Sequence, residues 1–162
     1  MLLYGSNRFN KFSISYPIGI FSDVPLISLK MIPQHLFVYG TLRPHLARGE
    51  AQALIAALEI VGPATVEGKL YDFGTFPGAT NEKGLIFGDL LRLKSAEQLR
   101  PLDDYEECNS KSPLFTRSIT TAHLSADTSI AAWIYLFSGQ AEPSVLITSG
   151  DYQQYMRNRF SN

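Results

Sequence analysis

The run His35-Leu36-Phe37-Val38-Tyr39-Gly40-Thr41-Leu42-Arg43-Pro44 decides how the chain is read, because it is a short apolar stretch that stops abruptly at a glycine. Leu36 to Tyr39 are strand formers. Gly40 can take backbone angles closed to other residues and admits a second molecule close to the main chain. Thr41 supplies the next hydrogen-bonding side chain and Pro44 closes the turn. Peptide N–H groups at Gly40, Thr41 and Leu42 are therefore placed to meet a small anionic or carbonyl-bearing ligand. The same residues also suit a strand that merely turns, since turn glycines usually serve geometry.

Around this stretch, 162 residues with 45% apolar composition suit one globular unit with a substantial core. A formal charge of −1, with acids and bases interspersed, leaves no electrostatic footprint for nucleic acid or an anionic membrane, so a small-molecule partner is expected. The lone Cys108 has no internal disulfide partner, and no Cys/His cluster has metal-ligand spacing. These features suit a reducing, cytoplasmic setting and no metal. No apolar run reaches the length of a membrane span. Residues 1–30 stand apart: Gly5, Pro17, Gly19 and Pro25 are scattered among Phe and Ile without strand or helix period. They read as an atypical extension, disordered or not native, before a domain at 31–162.

Downstream, Ala51, Leu54, Ile55 and Leu58 share one face of a helix over Ala47 to Leu58. Glu59 to Tyr71 is extended, as two short strands or one bulged strand about Gly62-Pro63. Tyr71 to Lys83 reads as a glycine- and proline-punctuated loop rimming a pocket, and Leu85 to Leu93 as a central strand. Ser95 and Gln98 have capping-box spacing, so a helix starts there, and Pro101 must kink it or restart it with proline at its first position. Phe115 to Ala122 and Ile130 to Phe137 form a hairpin through Ser125-Ala126-Asp127. After a turn at Ser149-Gly150-Asp151, Tyr152 to Phe160 is a short polar segment ending in a helical turn.

One carboxylate points the wrong way for a surface residue. At about 100° per residue, Leu99 and Leu102 define the inward direction, and Glu106 falls within roughly 10° of it. Asp103, Asp104 and Glu107 turn towards water. An inward carboxylate must be partnered, protonated, or set beside a cavity that uses it. Desolvation raises its pKa towards neutrality, as a general base or acid requires. Pairing with Arg117 on the following strand is the structural alternative.

In order and spacing, Phe37-Val38-Tyr39-Gly40-Thr41-Leu42-Arg43, Gly68-Lys69-Leu70-Tyr71, Leu102-Asp103-Asp104-Tyr105-Glu106, Phe115-Thr116-Arg117 and Ala132-Trp133-Ile134-Tyr135 resemble the gamma-glutamylcyclotransferase-like family. The likeness is nearest its small gamma-glutamylamine cyclotransferase branch, whose C-terminal turn Ser149-Gly150-Asp151-Tyr152 resembles, and it covers about residues 35–155. Pro101 and Phe115 depart from the family pattern. The resemblance implies an α+β fold: a small mixed β-barrel of about five to seven strands flanked by two or more short helices. It implies Glu106 as catalytic acid/base and the backbone of Tyr39, Gly40, Thr41 and Leu42 as the substrate cradle, with Tyr135 a further candidate for a substrate hydrogen bond.

The implied reaction turns a γ-glutamyl amine or amino compound into 5-oxoproline and free amine, without a cofactor, in a monomer or weak homodimer. The leaving amine would be chosen by the loops Tyr71 to Lys83 and Glu107 to Pro113. Replacing Gly40 with a bulky residue is expected to weaken binding before it harms the fold. A rival reading keeps the barrel as a non-catalytic module for a glutamyl-like metabolite or a protein partner. Another makes Cys108 a nucleophile with His45 or His123 as base, although no nucleophile turn surrounds Cys108.

Overall fold

The computed structural model describes residues 32–138 and 145–161, and the set-apart stretch at 1–30 lies outside them. In chain order the elements are β1 (His35–Val38), α1 (Gly49–Ala56), β2 (Glu59–Asp72), β3 (Pro77–Arg92), a 3-10 turn (Ala96–Gln98), α2 (Leu99–Tyr105), β4 (Phe115–His123), β5 (Ser129–Phe137), β6 (Val145–Leu146) and α3 (Tyr152–Phe160). The strand order β3-β1-β5-β4-β2 closes on itself because β2 also pairs with β3, and β6 pairs with the far end of β2, at Tyr71 and Asp72. Only the β1–β5 contact is parallel among these pairings. The described chain is thus an α+β fold on a closed five-stranded mixed barrel with one extra strand, as the motifs imply. No helix among the described residues is long and apolar enough to cross a membrane.

β1 is buried on both faces, which explains its unbroken apolar run. Side chains alternate along a strand. Phe37 and Tyr39 join Val66, Leu70, Ile86, Leu90 and Ile134 inside the barrel. Leu36 and Val38 point the other way, to Leu91 and the inward residues of the helices: Ala51 and Ile55 of α1, Leu99 and Leu102 of α2. Each large side chain fully withdrawn from water contributes about 1.5–3 kcal/mol, so β1 anchors two cores at once.

The β2–β3 hairpin runs from Glu59↔Arg92 to Asp72↔Pro77. It resolves Glu59 to Tyr71 as one bulged strand, with register shifts at Ile60/Gly62 and Glu67/Lys69. Gly68 sits at a bulge with φ +154°, where a Cβ would lie 2.7 Å from the Thr80 carbonyl oxygen. The expected loop over Tyr71 to Lys83 is corrected. Only Phe73 to Phe76 make the turn, closed by the Phe73 N–H donating to the Phe76 carbonyl at 3.0 Å, and residues 77–83 are strand. Ladder partners for Ala79 and Thr80 outweigh the local turn preference of Gly78 and Asn81, and Pro77 is tolerated because it opens the strand. Leu85 and Phe87, expected inside a central strand, are 51% and 40% exposed.

The β4–β5 hairpin forms as read, from Phe115↔Phe137 to His123↔Ser129. The tail exceeds expectation, for Tyr152–Phe160 is a full helix. The Asp151 carboxylate accepts from the N–H groups of Gln153 and Gln154, satisfying donors that a helix start leaves open. Tyr152, with Tyr155 and Met156, then packs on the barrel core.

Candidate active site

Two pieces of chain far apart in sequence meet at one end of β1. The first is the turn after the strand. The Arg43 N–H donates to the Gly40 carbonyl at 3.0 Å, and the Leu46 and Ala47 N–H groups both donate to the Arg43 carbonyl at 2.8 Å. Arg43 itself is buried, with Nε donating to Asp89 Oδ2 at 2.8 Å and a terminal nitrogen donating to Asp151 Oδ1 at 3.0 Å. Because Asp151 also caps α3, one buried ion cluster ties the turn to β3 and to the C-terminal helix. The N–H groups of Gly40, Thr41 and Leu42 donate to no acceptor among the described residues. They are the free donors that the reading of the turn requires.

Gly40 serves the turn for a reason other than the one its sequence suggests. Its φ is not in the left-handed region. A Cβ there would lie 2.6 Å from Pro77 Cγ, so glycine is required by close approach of the β3 start.

The second piece is the end of α2. Ser95 and Gln98 form the capping box and open the 3-10 turn, after which α2 starts afresh at Leu99. Pro101 is therefore third in the helix instead of first. That is tolerated because the N–H groups of a first helical turn lack partners anyway. At the other end the Glu106 N–H still donates to the Leu102 carbonyl at 3.0 Å, so the four-residue spacing that aims Glu106 inward survives. The helix then stops in a Schellman turn. Glu107 takes φ +54°, its N–H donates to the Asp104 carbonyl at 3.2 Å, and the Cys108 N–H donates to the Asp103 carbonyl at 2.9 Å. A non-glycine in that conformation costs roughly 1 kcal/mol. It turns the chain away immediately after Glu106.

Between the two pieces lies a cavity of about 170 Å³. Tyr39, Gly40, Thr41 and Leu42 form one wall and Glu106 stands on another. Phe37, Val38, Phe76, Pro77, Tyr105, Leu114, Phe115 and Tyr135 complete it. Glu106, the turn residues Tyr39 to Leu42 and Tyr135, the residues named for the cyclotransferase site, are thus brought together on one cavity, whereas Cys108, His45 and His123 do not line it. The side chain of Glu106 has no hydrogen-bond or ion-pair partner among the described residues, and burial pushes its pKa up to about 7. Arg117 does not pair with it. Instead the guanidinium donates to Asp103 Oδ2 at 2.6 Å and lies 4.8 Å from the centre of the Trp133 ring.

Asp103 is a correction to the helical projection, which sent it to water. Its side chain is only 16% exposed. It holds Arg117 with one oxygen and accepts from the Tyr135 hydroxyl with the other at 2.9 Å. A residue about 70° off the inward axis meets the next element when that element packs against the helix flank. The Tyr135 hydroxyl is therefore spent on Asp103. Tyr39 is committed likewise, donating to the Tyr135 carbonyl at 2.7 Å and accepting from the Ala79 N–H at 3.2 Å. Burial raises the pKa of both phenols, aided at Tyr39 by the negative charge of Glu106 and at Tyr135 by Asp103. Both rings stay neutral and serve as walls.

The Cys108 alternative loses its chemical basis. Burial pushes the thiol up to about 11, the reverse of what a nucleophile needs. His45 shares a hydrogen bond with Gln153 at 3.0 Å, on the exposed surface. The segment Glu107 to Pro113, expected to choose the leaving amine, contributes nothing to the cavity wall; Leu114 and Phe115 do. Sequence reading named the loop that holds Phe76 as a pocket rim and the motif that holds Phe115 without singling out either ring, and it passed over Leu114 and the placing role of Asp103. The available signal was the aromatic excess flanking the two hairpins, which has no periodicity pointing to a cavity.

Comparison with known proteins bears on the family and the fold. The family model described as gamma-glutamyl cyclotransferase, AIG2-like, matches residues 36–154. The gamma-glutamylcyclotransferase family protein YtfP of Citrobacter rodentium is 25% identical over 118 residues, covering 72% of this chain and 93% of its own. YtfP of Escherichia coli K12 is also 25% identical, with 72% and 94% covered. Among solved structures, a mouse AIG2-like protein superposes with a TM-score of 0.61 at 21% identity, over 74% of this chain and 88% of its own. An uncharacterised protein of Pyrococcus horikoshii gives 0.62 at 17% identity, over 79% and 97%. With the barrel, the turn and the motif order all in place, this chain belongs to the gamma-glutamyl cyclotransferase, AIG2-like family.

Proposed function

We propose that this protein is a cyclotransferase that converts a γ-glutamyl amine or γ-glutamyl amino compound to 5-oxoproline and the free amine. The observation that carries the reading is the pairing of an unpartnered Glu106 carboxylate, poised near neutrality, with free N–H groups at Gly40 to Leu42 across one small cavity. The reaction is redox-neutral and intramolecular.

Glu106 takes a proton from the substrate α-ammonium. The freed nitrogen attacks the γ-carbonyl carbon, a C–N bond forms, and negative charge gathers on the carbonyl oxygen. The open N–H groups of the turn suit either that oxygen or the substrate carboxylate. Collapse breaks the original amide C–N bond while protonated Glu106 delivers its proton to the departing nitrogen. The second proton, shed by the acylated ring nitrogen, follows through Glu106, and the amine leaves as ammonium. Atoms and charge balance without a co-reactant. Holding the flexible glutamyl chain in a ring-ready shape supplies much of the acceleration, since the step is already unimolecular.

Incubation with a panel of γ-glutamyl amines and γ-glutamyl amino acids, followed by mass spectrometry, tests the reading. Release of 5-oxoproline by the parent protein and at least a thousandfold slower release by Glu106→Gln, with ligand binding retained, are the expected results. Binding without product in the parent protein would identify a non-catalytic module instead. Undiminished turnover in Glu106→Gln would remove the role given to that residue.

A further inference from the structure

Resting on the cyclotransferase reading above, we infer that the site selects γ-glutamyl amines whose leaving amine is apolar or aromatic and bears no additional charge. With the glutamyl part held at Gly40 to Leu42, the leaving amine lies against the rest of the wall, which includes Phe76, Pro77, Tyr105, Leu114 and Phe115. That wall is backed by an aromatic cluster. Phe76 and Phe115 meet edge to face at 5.6 Å between ring centres, Phe73 stacks on Phe76 at 5.6 Å, and Phe137 lies 4.1 Å from Phe73 and 5.9 Å from Phe115. Ring pairs at these separations are mutually stabilising and resist rearrangement to admit water around a polar group.

The charge inventory points the same way. Glu106 is the only charged side chain on the cavity wall among the described residues. The two arginines nearest the cavity-lining residues in sequence are already neutralised. Arg43 is held by Asp89 and Asp151. Arg117 is held by Asp103 and lies over Trp133. A carboxylate on the leaving group would lose its water against phenylalanine rings, find no cation, and face the like charge of Glu106. A second ammonium would be drawn to Glu106 itself, competing with the α-ammonium for the one base in the site. A benzyl or alkyl group instead exchanges water for ring contacts at no electrostatic cost.

The test compares kcat/KM for 5-oxoproline release from three substrates: γ-glutamyl benzylamide, γ-glutamylalanine and γ-glutamylputrescine. The benzylamide should exceed each charged competitor at least tenfold. Phe76→Lys, which places a cation on the departing wall, should narrow the gap between benzylamide and γ-glutamylalanine. Product formed from γ-glutamylalanine or γ-glutamylputrescine as fast as from the benzylamide overturns the selectivity while leaving the cyclotransferase reading standing. No product from any of the three overturns the cyclotransferase reading, and the selectivity with it.

Discussion

Replacing Glu106 with glutamine should make the protein more stable at alkaline pH, although it removes the proposed catalytic group. The carboxyl is moved from its ordinary 4.5 to about 7 by burial, with no cation beside it. At 1.36 kcal/mol per pKa unit, ionising it in the folded chain costs about 3 kcal/mol. Because Glu106 is only partly buried, solvent screening lowers this to about 2–3 kcal/mol. Between pH 4.5 and 7 the folded chain keeps a proton that the unfolded chain has lost. Stability therefore falls as pH rises through that window, is undiminished below it, and is reduced in full above it. Glutamine has nearly the same shape and cannot ionise, so Glu106→Gln loses this dependence.

Urea unfolding of parent and variant at pH 4.5, 6 and 8 measures the effect, provided the m-values agree. The variant should match the parent within about 0.5 kcal/mol at pH 4.5 and exceed it by about 2–3 kcal/mol at pH 8. A difference that stays constant with pH would refute the argument. So would a variant less stable than its parent at pH 8, for that result requires a cation stabilising the carboxylate in the folded chain. The expected outcome is the usual exchange of stability for function at a site that holds a charge in poor solvent.

Two further expectations follow from the walls of the cavity. Gly40→Val places atoms against Pro77, which is itself a wall of the site, and should raise KM at least tenfold while overpacking lowers stability by about 1–3 kcal/mol; steady-state kinetics and urea unfolding read the two effects separately, and an unchanged KM would show that Pro77 moves freely. Asp103→Asn leaves the Arg117 guanidinium without its charged partner and weakens the hold on Tyr135, costing about 1.5–3 kcal/mol. By contrast Asp104→Asn, on the exposed side where its carboxylate accepts from the Asn109 amide, should change stability by less than about 0.5 kcal/mol. Equal losses in the two variants would contradict the placement of Asp103.

What the sequence by itself determined was whatever depends on direction relative to a residue's own element. The unbroken apolar run Leu36 to Tyr39 announces a buried strand, and the spacing of Leu99, Leu102 and Glu106 turns one carboxylate inward. Both survive in the structure because strand and helix periods are local properties of the backbone. Even the restart at Leu99, with Pro101 third in the helix, left the Leu102–Glu106 step intact. The ordered motifs carried the barrel with them.

Only the tertiary structure decided which partners those directions meet. Arg43 reads as an ordinary turn arginine, yet barrel closure buries it against Asp89 and Asp151, 46 and 108 positions away. Arg117 could have compensated Glu106 but is taken by Asp103, fourteen positions back. That choice leaves Glu106 the uncompensated charge of the cavity. The wall of Phe76 and Phe115, on which the selectivity rests, joins the tip of one hairpin to the root of another. The physical reason is common to all three. Periodicity tells a side chain which way to point, whereas the identity of its neighbour depends on strand pairings between distant segments, and those are settled by how the whole chain closes.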